Sequence, residues 1–161
     1  MAESDAVQRM WQEFTQATGL METLTGSFAF GDSAAMADEL ADLVRHGPKR
    51  ATVALMLEYE RDATPVPRAG EYSVVLDGRG EPVCVMRTTE VQIKPLNQVD
   101  AAFAWDEGEG DRTLAWWQQA HERFFRRQCE QYGEAFREDL PAVFERFELV
   151  WPMAGDQNSA S

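Results

Sequence analysis

The stretch RHGPKRATVALML (45–57) sets Lys49 and Thr52 three positions apart, an amine and an alcohol in one short segment. A threonine hydroxyl becomes a useful nucleophile only when a base takes its proton. A lysine is that base only where burial or a nearby cation lowers its pKa. The same residues have a plain structural use, since lysine complements a helix C-terminus and threonine opens strands. A second group is Asp106, Glu107, Glu109 and Asp111, set around Gly108 and Gly110. Glycines let the backbone aim a carboxylate inward, so this segment can supply a general acid or hard oxygen ligands for magnesium or manganese. Its plainer use is a solvated acidic loop ending in an Asp111 or Thr113 helix cap. His121 is third, in register with Leu114, Trp117 and Phe124, as a hydrogen-bonded histidine against a core would be. His46 is remote and no His–Cys spacing is present, so zinc has no support.

These groups act only where the secondary structure delivers them. Val7, Met10, Trp11 and Phe14 repeat at helical spacing, predicting a helix from Ser4 or Asp5 to Thr18 that Gly19 stops. LTGSFAFGDS reads as a loose stretch with Phe28 and Phe30 buried. Asp32 or Ser33 then caps a second helix through Met36, Leu40, Leu43 and Val44, ended by Gly47 with positive φ and by Pro48. Strand-like runs follow at 52–59, 71–77 and 82–94, the last two joined by a turn at Gly78-Arg79-Gly80. A short helix from Asn97 or Asp100 reaches Phe103, and WDEGEGDRT (105–113) is a loop. A long helix spans about Arg112 to Tyr132, and VFERFELVW (143–151) is a closing strand. If Gly47-Pro48 turns the chain, Lys49 and Thr52 point into one cleft beside the second helix. Helices, non-sequential strands, helices and a last strand favour an α+β domain with an antiparallel sheet curled toward a barrel. No dinucleotide glycine fingerprint or phosphate-binding P-loop follows any predicted strand. One domain over 1–153 and a flexible tail at 154–161 are expected.

The bulk composition narrows the partners. With 161 residues, 44% of them hydrophobic, the chain builds one real core. Its formal net charge of −13 disfavours tight duplex DNA binding, which rests on phosphate contacts. A local pocket for one nucleoside or a short single strand stays open. No apolar run is long enough to span a membrane, and MAESDAVQRMW lacks the basic start of a signal peptide, so a cytoplasmic location is expected. Cys84 and Cys129 read as free thiols. The pairs Trp116–Trp117 and Phe124–Phe125 suit base stacking or core packing, and Arg126–Arg127 is a small basic spot.

FGDSAAMADELADLVRHGPKRATVAL, P-x-x-G-E-Y (67–72), VCVMRTTEV, FAWDEGEGDRTLAWWQQAHERFF (103–125) and ERFELV, taken in order, resemble the ASCH family. Its G-x-K-x-x-T is present as Gly47, Lys49 and Thr52, and the likeness covers roughly 26–151. The resemblance implies a PUA-like β-barrel flanked by helices, with a cleft for single-stranded RNA or a modified nucleoside, and a hydrolase acting there. Small members look like amidohydrolases of N4-acetylcytidine that use a lysine, a threonine and a glutamate. Carried over, these are Lys49, Thr52 and Glu107, the last placed by Ala104-Trp105-Asp106-Glu107, with Glu109 as fallback. Longer members, with an added N-terminal helix and the EGEGD loop, resemble metal-dependent ribonucleases of single-stranded RNA. Length and loop slightly favour that subgroup; the acidic balance favours the small ligand. Phe28 (tryptophan in many relatives), Gly47, Arg87, Glu109 and Trp116 form the expected substrate-binding set. No motif demands a cofactor, and magnesium or manganese, if held, would sit on Glu107, Glu109 and Asp111. Rivals are a non-catalytic RNA-binding module and an interaction domain that forms a homodimer through its first or its long helix.

Overall fold

The computed structural model describes residues 3–153, so the 154–161 tail lies outside the described residues. The elements are α1 (Asp5–Thr18), β1 (Leu24–Ala29), α2 (Ala34–His46), β2 (Ala51–Leu55), α3 (Met56–Asp62), β3 (Tyr72–Leu76), β4 (Pro82–Pro95), α4 (Ala101–Glu107), α5 (Leu114–Tyr132) and β5 (Pro141–Trp151). The class is α+β, with strand order β1-β3-β4-β5-β2 in one sheet. The sheet is mixed rather than wholly antiparallel: β1 runs parallel to β3, from Leu24↔Tyr72 to Ala29↔Leu76. β1 was expected as loose chain, because Gly26 and two hydroxyl residues give it little strand character of its own. Its support is a partner more than forty residues away, which local pattern cannot reveal.

The chain forms two compact units. The first holds residues up to Pro48, Arg68–Thr89 and residues from Phe147 on. Ser4 Oγ accepts the Val7 amide at 3.2 Å and opens α1. Gly19, at φ 73, closes it by donating back to Thr15 O. Ser33 caps α2 through the Met36 amide. Gly47 departs from the expected left-handed turn: its φ is −125, an extended conformation. Glycine is needed there for space, since a Cβ would sit 3.0 Å from the Leu43 carbonyl oxygen. β3 is buried on both faces. Val75 packs with Val44, Met86 and Phe147, while Val74 packs with Val7, Phe14 and Val85. Each buried valine contributes roughly 1.5–3 kcal/mol of transfer free energy. The β3–β4 turn falls where glycine spacing put it, with the Asp77 carboxylate accepting the Arg79 and Glu81 amides.

The second unit is Lys49–Pro67 with Glu90–Arg146. β2 pairs antiparallel with β5, from Ala51↔Arg146 to Leu55↔Ala142. It is shorter than expected, because Met56–Asp62 turns helical. Met, Leu, Glu and Arg there are good helix formers, and their apolar run was ambiguous between the two states. α4 also outruns its expected end at Phe103. The Asp100 carboxylate accepts the Phe103 amide at 2.8 Å, and the helix continues to Glu107 before Gly108 (φ 67) ends it. Thr113 caps α5 and Gly133 (φ 72) stops it. Leu55, Phe103, Trp117, Phe125 and Phe144 fill this unit's core. Among the described residues no helix is long and apolar enough to cross a membrane.

Candidate functional site

Lys49 stands two residues ahead of β2 with only 1% of its surface exposed. Its Nζ donates to Ala51 O at 2.8 Å, Glu109 Oε2 at 2.7 Å and Glu107 Oε1 at 3.3 Å. Glu107 O lies 3.5 Å away as a further acceptor, so the three N–H groups of the ammonium have acceptors on every side. Glu107, 2% exposed, is the last residue of α4. Helix α5 supplies its other partners. The Trp117 indole N–H donates to Oε2, and His121 Nε2 lies 3.1 Å from Oε1. Trp117 and His121 are one helical turn apart, so both reach the same carboxylate. Their rings stack at 4.0 Å and 14°. His121 Nδ1 lies 2.8 Å from Trp117 O, a carbonyl that can only accept. Both ring nitrogens therefore face acceptors, which assigns the imidazolium form whenever Glu107 is ionised.

The electrostatics sort the roles. Burial alone would lower the Lys49 pKa, but the Glu107 and Glu109 charges outweigh it and hold the ammonium above the usual lysine value. For Glu107 burial pulls upward, yet His121 and Lys49 keep it well below the carboxylate range. Glu109 goes the other way: burial and the neighbouring Glu107 anion raise it in spite of Lys49. His121 is raised, because Glu107 outweighs the burial that opposes its charge. Glu107 is thus a fixed anion held between two cations. Glu109, 16% exposed, is the more accessible carboxyl of the two, and its pKa is displaced upward.

A pH dependence follows. Glu107 stabilises the fold above the ordinary 4.5, and that contribution is lost as pH falls through its lowered value. His121 stabilises fully below its ordinary 6.5, and loses that contribution as pH rises through its raised value. Glu109, raised from 4.5, likewise favours the fold at lower pH. The contribution of this cluster should therefore peak between the ordinary values of 4.5 and 6.5. Thermal unfolding from pH 4 to 9 should show stability declining on the alkaline side, and His121→Asn should flatten that decline. An unchanged slope in the variant would sever His121 from the effect.

The remaining expected residues divide clearly. Gly110 has φ 57, and a side chain there would run into the Trp116 ring, so half-buried Trp116 lies against the loop carrying Glu109. Asp111 does not join the cluster. It is exposed and accepts the Thr113 amide and hydroxyl at 2.9 and 2.6 Å, the capping role. Thr52 is half-buried on the side of β2 opposite Ala51 and Val53, and its hydroxyl makes no hydrogen bond among the described residues. Phe28, Gly47 and Arg87 belong to the first unit. There Phe28 packs edge-on to Phe30 at 4.9 Å, and Arg87 meets Glu148 at 3.5 Å. His121 is the member whose role the sequence left undecided; the signal was its i, i+4 spacing from Trp117 on an apolar helix face.

The donor atoms of Glu107, Glu109 and His121 all lie within 4.8 Å of one another, a chemistry suited to a divalent cation. The Lys49 ammonium, however, is already bonded to both carboxylates. A divalent ion beside it would meet a fixed positive charge at short range and find its ligands engaged. The cluster as it stands does not fit such an ion.

A small α+β chain with a buried lysine–carboxylate cluster is the class that the fold and the site define. The ASCH domain family model matches residues 26–151, and the protein belongs to that family. Its structure is similar to the crystal structure of an ASCH domain from Lactobacillus crispatus JV V101, with TM-score 0.85 and 34% identity over 93% of this chain and 97% of that one. It is also similar to a crystal structure of a protein from Enterococcus faecalis V583, with TM-score 0.82 and 36% identity over 90% and 88% of the two chains. No curated protein sequence matches the chain.

Proposed function

We propose that the protein is an RNA-associated hydrolase that removes the acyl group from a modified nucleoside of the N4-acetylcytidine type without a metal. The observation carrying this reading is the buried Lys49 ammonium placed between Glu107 and Glu109, where a cation would otherwise sit. The expected PUA-like barrel belongs with this reading, as the scaffold for a nucleoside cleft. In the proposed reaction the Thr52 hydroxyl attacks the acyl carbon while its proton passes to ionised Glu109. A carboxylate with a raised pKa is the better base. As Glu109 becomes neutral its hold on Lys49 weakens, freeing one N–H for the developing oxyanion. Glu109 then returns the proton to the departing nitrogen as the C–N bond breaks. Water, deprotonated by the same carboxylate, hydrolyses the threonyl ester. Lys49 is thus an electrostatic partner rather than a base, because its raised pKa keeps it protonated.

The ribonuclease reading has one observation on its side, the donor set of Glu107, Glu109 and His121. It requires Lys49 to give up its present partners. One preparation separates the two: N4-acetylcytidine and short single-stranded RNA, each with chelator or with manganese. Deacylation that persists in chelator is expected. Chelator-sensitive RNA cleavage would move the assignment to the nuclease, and no turnover under any condition would leave a binding module.

A further inference from the structure

We propose that Trp105, backed by Arg112, is a stacking platform for the base of the ligand, beside the loop that carries Glu109; the choice of ligand rests on the reading above. Helix α4 buries Phe103, Ala104 and Glu107 yet leaves Trp105 56% exposed. The other large exposed hydrophobics among the described residues are Met21, Ile93 and Met153, so this is the aromatic one. Exposed as it is, Trp105 is held in place. The Arg112 guanidinium carbon lies 3.6 Å from the indole centroid, and Arg112 Nε donates to Trp105 O at 2.9 Å.

Arg112 adopts φ 65, a left-handed conformation that costs an L-residue roughly 1–2 kcal/mol. Such strain persists where surrounding contacts over-determine it, and it collects at ligand sites. In the same conformation the Arg112 amide donates to Glu109 O at 3.0 Å. One residue therefore fixes both the indole and the backbone of the residue whose carboxyl carries the mobile proton. The guanidinium covers one face of the ring, and with 56% of the residue exposed the proposal assigns the other face to a flat aromatic partner. A base suits it because every base offers a π-face, and stacking on an aromatic is worth about 1–3 kcal/mol. The net charge of −13, with Glu109 and Asp111 in the adjoining loop, favours a base that brings no phosphate of its own.

The test uses the full chain and three probes: cytidine, N4-acetylcytidine and a cytidylate tetranucleotide. The Trp105 indole N–H resonance, assigned by its loss in Trp105→Ala, should shift with cytidine and N4-acetylcytidine. Trp105→Ala should weaken binding about 5- to 150-fold, which is the stacking range expressed as affinity. Trp105→Phe should retain most of it. Where turnover is present, Trp105→Ala should raise KM and leave kcat near the parent value. Tighter binding of the tetranucleotide than of cytidine would keep the platform and make its source an RNA strand. A nucleoside-induced shift in a protein with no turnover would support the platform while the hydrolase reading fails. An indole signal that none of the probes moves, or a folded Trp105→Ala variant that binds them like the parent, would overturn the proposal.

Discussion

Replacing Lys49 with methionine should abolish turnover, lower stability by about 3–5 kcal/mol and create a manganese site that the parent lacks. Methionine keeps most of the length as an unbranched apolar chain, one heavy atom shorter, but removes the charge that faces both carboxylates. Glu107 would retain Trp117 and His121, while Glu109 would lose its 2.7 Å partner inside the fold. A buried anion without a partner costs far more than an exposed one. In a chain of this size the loss corresponds to a fall in Tm on the order of 6–20 °C. The three donors within 4.8 Å would then have no competing cation, and millimolar manganese should raise the variant's Tm. Glu109→Gln added to Lys49→Met should recover part of the stability without metal, because it removes the orphaned charge. If Lys49→Met unfolds at the parent's temperature, or if manganese stabilises the parent equally, Lys49 is not the cation of this cluster.

How much of this could be read beforehand depends on the range of the interaction. α1, α2 and α5 carry their own boundaries, an oxygen-bearing cap at Ser4, Ser33 and Thr113 and a stop at Gly19, Gly47 and Gly133. Local chemistry suffices to write them down, although Gly47 stops α2 in an extended conformation rather than the left-handed one of Gly19 and Gly133. β1 could not be read that way, since what makes LTGSFA a strand is β3. α3 was hidden by the opposite difficulty. Its seven residues continue the apolar run of β2, and only the turn of the chain after Leu55 separates helix from strand.

The site was legible in part. The G-x-K-x-x-T spacing pointed to Lys49, and the glycine-flanked acids pointed to Glu107 and Glu109. What spacing could not supply is which carboxylate is fixed and which titrates. That distinction comes from α5, where Trp117 and His121 both converge on Glu107 and neither hydrogen-bonds Glu109. Asp111, one further step along the same acidic run, is drawn away by the Thr113 cap. Residues alike in sequence thus fall into three environments, set by what each meets in the fold: an anion enclosed by three donors, a partly exposed carboxyl paired with Lys49, and a helix cap.

Glu109→Gln should leave the protein folded and reduce kcat by about 10²- to 10⁴-fold, the usual contribution of a positioned acid–base group. The amide oxygen can still accept from Lys49, so the buried ammonium keeps an acceptor where the carboxylate stood. The amide cannot take up a proton from the attacking hydroxyl or return one to the leaving nitrogen. In the parent, kcat/KM should rise with pH as Glu109 ionises, at a value above its ordinary 4.5. The residual activity of Glu109→Gln should lack that acid limb. Glu107→Gln should behave differently. It removes the anion shared by Lys49 and His121, so its main effect should be a lower Tm, and whatever activity survives should keep the acid limb. The contrast rests on geometry: Glu107 is enclosed at 2% exposure by three donors, whereas Glu109 reaches solvent at 16%. If Glu107→Gln loses the limb and Glu109→Gln keeps it, the two carboxylates exchange roles, and the proton must travel through His121 instead.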